Sequence, residues 1–492
     1  MKTIFCILFM FAFQLNAQIN HLLNIDALAT NLIDMQNCNE EVYITFQYAN
    51  EMENGSGLIK LTDSTSKTEY YPFYSIGLNT QVCGESSMYM VGNAPEYINM
   101  LIQEVDLDNL DLLQNYSFNA SENFTITSGS VRIADTIYVV NVNRTDDYDV
   151  ITGGEYLQLW KLGLNGQVYR TVKLNQGMRG SYAFKMTANE DNNSLLISSR
   201  GLHYHKSGQY LSLLNLDTNG DIIWHYIGEN EVEGPPTKVA TLKDGNILAA
   251  YLEDQFYNDD WDFSMYDGHP VRVDWISQEG DLIKRRLYAS LRTDRIQFDD
   301  IVASQDGGAF IFGSANEEEF SSRSGLLVKI DSEGDTVWSG FYTHPDFSPA
   351  ERYNYHIKDL VERPDSSILV LATFSYPGEK SYSWVFELDA EGCHDTTICS
   401  TPVIVDIKDV EINVESLHLY PNPANDYIIL DHLERADEIT MINNMGQSVI
   451  HKYIDSSTES YRLDIKDIPK GLYYVRKKSS NGRLYLGKVV KY

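Results

Sequence analysis

One stretch sets the terms for the whole chain: Leu326 to Tyr342, LLVKIDSEGDTVWSGFY. Two apolar runs rich in β-branched and aromatic residues flank Ser332-Glu333-Gly334-Asp335, a turn in which glycine supplies the positive φ of a tight hairpin. The phrase recurs as LNLDTNGDIIWHY from Leu214, VDWISQEGDLIKRRLY from Val273, WKLGLNGQVYRTVKL from Trp160 and FELDAEGC from Phe386. Its turn glycines are Gly166, Gly220, Gly280, Gly334 and Gly392, at intervals of 54, 60, 54 and 58 residues. A hairpin recurring at a near-fixed period marks a repeat architecture.

Each repeat reads as strand, short turn, apolar strand, variable segment, strand, glycine turn, strand. Gln305-Asp306-Gly307-Gly308, Lys243-Asp244-Gly245 and Arg363-Pro364-Asp365-Ser366 occupy the first-turn position in three units, with residues that favour turns for definite backbone reasons. Asp135–Val142, Ser87–Gly92 and Glu41–Tyr48 serve as second strands of weaker, earlier units. The count from about Asn24 to Cys399 is seven, which predicts an all-β fold with a seven-bladed β-propeller. Six or eight blades remain open, since the first two units are poorly marked. The last unit stops after Gly392, so a strand within Ile19–Ile33 is expected to complete it. The LDxxGDxxW phrase weakly resembles repeats of quinoprotein-like propellers, and it sits near the sialidase Asp-box without matching it. Trp224 and Trp338 are expected to pack between blades.

Met1 to Ala17 has one charge, Lys2, then an apolar core from Ile4 to Phe13 and a small residue before Gln18. It reads as a secretory signal peptide, too short to anchor in a bilayer, and no other stretch reads as a transmembrane helix. Removing it takes the net charge from −32 to −33, which disfavours nucleic acid and anionic membranes as partners. Four cysteines remain for an oxidising compartment. The short loop favours Cys393 with Cys399, leaving Cys38 with Cys83 by elimination.

After a segment of alternating acidic and apolar residues at 401–416, a separate block runs from Leu417 to Tyr492. It opens Leu419-Tyr420-Pro421-Asn422-Pro423-Ala424, continues through Asn443-Asn444-Met445-Gly446 and Leu463–Val475 (with Gly471 and Tyr473), and ends Gly487-Lys488-Val489-Val490-Lys491-Tyr492. This block resembles the type A C-terminal sorting domain of type IX secretion cargo. Its strands, with Asn481-Gly482 as a hairpin turn, fit a small Ig-like β-sandwich. The resemblance implies export across both membranes, the type IX machinery as partner, and a secreted or surface-attached product. The expected layout is signal peptide 1–17, repeat domain 18–400, linker 401–416 and sorting domain 417–492.

Catalytic signatures are scarce. GRLYLGKV at Gly482–Val489 imitates a phosphate-binding loop but has valine where magnesium needs a hydroxyl. Asp106, Asp108 and Asp111 miss calcium-loop spacing; a divalent cation such as calcium is permitted by the acidic composition but indicated by no motif. His203 and His205 sit on one strand face, which suits a metal or simply a surface loop. Glu253 to His269, EDQFYNDDWDFSMYDGH, mixes carboxylates with Tyr257, Trp261 and Tyr266. Together with His203, His205 and Tyr353 it forms a candidate ligand rim for glycan or peptide. Paired carboxylates such as Asp299/Asp300 read as coincidence in so acidic a chain. The expected function is binding of glycan, peptide or protein outside the cell. The alternatives are a polysaccharide hydrolase or lyase acting in the propeller funnel, and a structural surface component.

Overall fold

The computed structural model describes residues 20–492 apart from intervening stretches, the longest being 145–154, 253–270 and 345–352. The expected signal peptide, Tyr257, Trp261, Tyr266, His205, Gly446 and the Asn481-Gly482 turn lie outside the described residues.

The described secondary structure is β throughout. Antiparallel four-stranded sheets follow one another along the chain, each a simple meander. Their first strands are Ala29–Cys38, Gly77–Cys83, Phe124–Ile133, Met178–Asn189, Lys238–Thr241, Ile296–Ala303 and Asn354–Glu362, and the sheets are numbered one to seven in that order below. Sheets six and seven touch through a single parallel pair, Arg323 with Asn354. In sheet seven the chain supplies three strands, and the fourth place is taken by Asn20–Leu23, antiparallel to Ser381–Leu388. The expectation of an N-terminal strand completing the last unit drew on the missing strand after Gly392, and the pairing falls there. Each first strand lies against the first strand of the next sheet, and Asn354–Glu362 lies against Ala29–Cys38.

The alternation of apolar and polar residues is weakest in second and third strands. Phe310 to Phe312 and Val370 to Ala372 are buried without a break, as strands covered on both faces must be. The core is accordingly divided among the sheet interfaces. Leu248, Val273, Phe298, Ile311 and Val328 fill the space between sheets five and six. Phe310, Ile357, Val370 and Trp384 fill that between six and seven, and Ile44, Phe46, Leu369 and Val385 join seven to one.

The glycine turns link the sheets. Gly334 has φ +80°, and a Cβ there would lie 2.7 Å from Trp275 of the preceding sheet. Tyr288 donates to the Gly334 carbonyl at 2.7 Å. One sheet on, Gly392 lies against Trp338, Tyr342 donates to the Gly392 carbonyl at 2.7 Å and Trp338 donates to that of Ala390 at 2.9 Å. Trp224 donates to Gln278 at 2.7 Å in the same manner. The tryptophans therefore do pack between sheets, and each also hydrogen-bonds the turn it covers. In three of the turns an aspartate at the opening position organises the backbone, as where Asp217 accepts from Asn219 at 2.8 Å and Asp221 at 2.9 Å. Burial works against its charge, and these backbone N–H groups outweigh it, holding its carboxyl below the usual range.

Cys38 and Cys83 are disulfide-bonded, with Cα atoms 5.7 Å apart, and tie sheet one to sheet two. Cys393 is also disulfide-bonded and stands opposite Cys399 in register. Within the segment expected to be a linker, Val405–Asp409 pairs with the outer edge of sheet five.

The C-terminal block has two sheets, one of three strands and one of five. Ile428, Leu430, Ile439, Met441, Leu463, Val475 and Val489 from both share one apolar cluster.

Candidate functional site

The site is built by a repeated irregularity. In six first strands the register slips by one residue at the same place: Leu32/Asp34, Leu78/Thr80, Thr127/Gly129, Ala183/Lys185, Phe298/Asp300 and Ile357/Asp359. A bulge turns the residue that follows it away from the ladder. Asp34, Thr80, Gly129, Lys185, Asp300 and Asp359 all line one central cavity of about 500 Å³, joined by Lys238 from sheet five. Every one of the seven sheets thus contributes to one polar cavity. At the third position a side chain is excluded, because a Cβ on Gly129 would lie 2.8 Å from the Cβ of Met186.

Charge is unevenly spread around this wall. Lys185 reaches from sheet four to Asp300 of sheet six, donating at 2.9 and 3.0 Å, and Lys238 lies 3.7 Å from the same carboxylate. Beside it, Asp299 faces Lys358 at 3.1 Å and His356 at 3.8 Å. Burial opposes its charge, but His356 and Lys358 hold its carboxyl below the usual range. Asp34 and Asp359, from sheets one and seven, are half-buried at the cavity wall and hydrogen-bonded to each other. Asp359 also accepts from the Met35 backbone at 2.6 Å and from that of Leu360 at 2.8 Å. Burial pushes Asp34 up, and burial together with the Asp34 charge pushes Asp359 well above the usual carboxylate range.

The neutral part of the wall comes from sheets two and three. Ser130 donates to Thr80 at 3.1 Å. Gln81 is 3% exposed, and among the described residues neither atom of its amide has a hydrogen-bond partner; the side-chain oxygen of Gln36 also lacks one. Arg132 donates to the carbonyls of Ala134 at 2.6 Å and Cys83 at 3.1 Å.

A second buried polar cluster lies apart from this wall. Arg285 donates to both oxygens of Asp274, at 2.6 and 2.9 Å, and Tyr226 and Tyr251 donate to the same carboxylate at 2.8 and 3.1 Å. It lies between sheets four and five and lines no cavity wall.

The candidate rim fares differently. His203 ends the strand Ser194–His203 of sheet four. Tyr353 is half-buried, its ring centroid 5.8 Å from Phe374 and 6.4 Å from Tyr355, and nearby His344 packs at 5.2 Å on Trp384. The described end of that segment therefore faces the interior of sheet seven. Among the described residues no three histidine, cysteine or carboxylate groups come together to hold a metal ion, and no helix is long and apolar enough to cross a membrane.

What sequence reasoning missed is the channel. Asp299 and Asp300 looked like one of many chance pairs, and Lys185, Lys238, Lys358 and Asp359 carry no motif. A usable signal existed: first strands that place a charge where the repeat pattern calls for an apolar residue.

In the C-terminal block the motif residues have definite work. Tyr420-Pro421 and Asn422-Pro423 are both cis. The Asn422 side chain donates to the Lys488 carbonyl at 2.6 Å and accepts from Val490 at 3.0 Å. Tyr473 donates to Pro469 at 2.7 Å and Tyr420 to Asp431 at 2.6 Å. A Cβ on Gly471 would meet the Tyr473 ring at an ordinary 3.6 Å, whereas one on Gly487 would lie 2.6 Å from the Leu417 carbonyl oxygen.

Residues 418–491 match the family described as the secretion system C-terminal sorting domain. The sequence finds no match among curated proteins. Among solved structures the chain is similar to the β-propeller domain of the Trilobed protease from Pyrococcus furiosus, at 11% identity and TM-score 0.43, covering 74% of this chain and 97% of that one. It is also similar to PorZ, described as an essential bacterial surface component of the type-IX secretion system of Porphyromonas gingivalis, at 8% identity and TM-score 0.25, covering 94% and 82%. The sheet order and the sorting family together identify the chain as a β-propeller-type protein that carries a type IX secretion system C-terminal sorting domain.

Proposed function

We propose that this is a recognition protein delivered to the cell surface or secreted: a seven-bladed ring, completed by its N-terminal strand, that binds a glycan, peptide or protein. In this reading residues 1–17 direct passage of the inner membrane and the sorting domain directs passage of the outer one. The supporting observation is that the channel carboxylates are matched. Asp300 faces Lys185 and Lys238, Asp299 faces Lys358, and Asp34 and Asp359 satisfy each other. Matched groups hold a fixed pattern of charge for a ligand to meet, rather than leaving a carboxylate poised to attack.

A polysaccharide hydrolase is the second reading, favoured by the raised Asp34–Asp359 pair, since perturbed acids concentrate at catalytic sites. One experiment separates the two. The mature chain is applied to a glycan and polysaccharide array and read for binding and for product release. Retention without turnover, weakened by Trp261→Ala, supports recognition at the rim; oligosaccharide release that is lost in Asp359→Asn replaces it with hydrolysis.

A further inference from the structure

The central cavity has a chemistry narrower than recognition in general. Gln36 and Cys38 alternate on one side of their strand, and Gln81 and Cys83 on one side of theirs, so the Cys38–Cys83 bond places both glutamines at the interface of sheets one and two. Both line the cavity. Gln81, at 3% exposure, offers two N–H groups and a carbonyl with no partner among the described residues, and the Gln36 oxygen is likewise open among them. Burying an amide without partners is costly, so the polar atoms point to something that both donates and accepts. Hydroxyl groups do both.

The charge is equally specific. Arg132, Lys185, Lys238 and Lys358 line the cavity against the three carboxyls of Asp34, Asp300 and Asp359, Lys185 and Lys238 share the carboxylate of Asp300, and Arg132 donates to the carbonyl oxygens of Ala134 and Cys83. The wall is therefore positive on balance inside a chain of net charge −32, and it attracts a small anion. Among the described residues no aromatic ring lines the cavity, so they offer a nucleobase nothing to stack on.

We propose that the cavity binds a small polyhydroxylated carboxylate, of the size and charge of one hexuronate unit, with Gln36 and Gln81 engaging its hydroxyls and Lys185 and Lys238 facing its carboxylate. The assignment deepens the recognition reading and rests on it.

The test is calorimetric titration of the mature chain with glucuronate, glucose and inorganic phosphate. Glucuronate is expected to bind at one site, with glucose and phosphate each at least about tenfold weaker, the worth of one charge-assisted contact or of a lost set of hydrogen bonds. Gln81→Leu, which removes the open amide while keeping its volume, is expected to leave the melting temperature unchanged or higher and weaken glucuronate about tenfold. Lys238→Gln is expected to bring glucuronate and glucose to within about threefold of each other. No heat with glucuronate up to roughly 10 mM overturns the proposal, as does equal affinity for glucose, tighter binding of phosphate, or undiminished affinity in Gln81→Leu. If the array finds a ligand and glucuronate does not bind, the cavity assignment falls and recognition stands; silence in both removes both.

Discussion

Asp34 and Asp359 carry the clearest acid–base consequence in the molecule. Both folded-state values are raised: Asp34 by burial, against a hydrogen bond from Asp359 that lowers it, and Asp359 by burial and then by the Asp34 charge. A raised carboxyl stabilises the fold while protonated, so its contribution is present at low pH and is lost as pH rises through the folded value. Asp217, Asp299, Asp306 and Asp365 are lowered and act in the opposite sense, their contribution falling away on acidification. Asp359→Asn is therefore expected to raise stability on the alkaline side by on the order of 1–2 kcal/mol and to leave the acid side nearly unchanged. Thermal unfolding across pH would show it; an alkaline limb that keeps its wild-type slope would mean that Asp359 ionises in the native state as it does in the unfolded chain. Arg285→Met strands the Asp274 carboxylate and is expected to cost about 3–5 kcal/mol in chemical denaturation, with Asp274→Leu in the same chain restoring much of it.

The turns between third and fourth strands behave as latches between sheets, and two glycines separate conformation from contact. Gly334 and Gly307 have φ of +80° and +94°, but a Cβ at Gly307 meets nothing within 4 Å while one at Gly334 meets Trp275. Gly307→Ala should cost about 1 kcal/mol, the left-handed penalty alone, and Gly334→Ala at least twice that. Equal losses would show that the latch contributes nothing. The latch turns were legible because the Asp-x-x-Gly-Asp spacing and a following aromatic residue are local properties of the chain. The bulges were not. A slip at Leu32/Asp34 or Phe298/Asp300 is a relation between two strands, and no single strand records it. Gln81 reads like any polar residue beside Val82 until sheet one is placed against it. The sorting block was readable almost to the residue, since Tyr420 to Pro423, Tyr473 and the C-terminal strand answer one another within some seventy positions. The aromatic rim around Trp261 lies outside the described residues, and its part in binding rests on the array.

At the scale of the molecule, two covalent and topological ties hold distant sequence together. The Cys38–Cys83 bond closes a loop of 45 residues between sheets one and two. Replacing both cysteines with serine is expected to cost about 3–4 kcal/mol by the loop-entropy argument, read as a lower denaturant midpoint. Deleting 417–492 should leave an intact repeat domain in the periplasm, detected by fractionation; its undiminished appearance outside the cell would show that export uses another signal. The pairing of Asn20–Leu23 with Ser381–Leu388 sets an order of events. A chain that emerges from its N-terminus must keep that first strand unpaired until some 360 residues have followed it, because its partner closes the last repeat. Local hairpins form early, whereas this junction is the slow, high-separation step. The strand made first is thus the last of the repeat domain to find its place, and until then the chain presents an open sheet edge to whatever chaperone meets it.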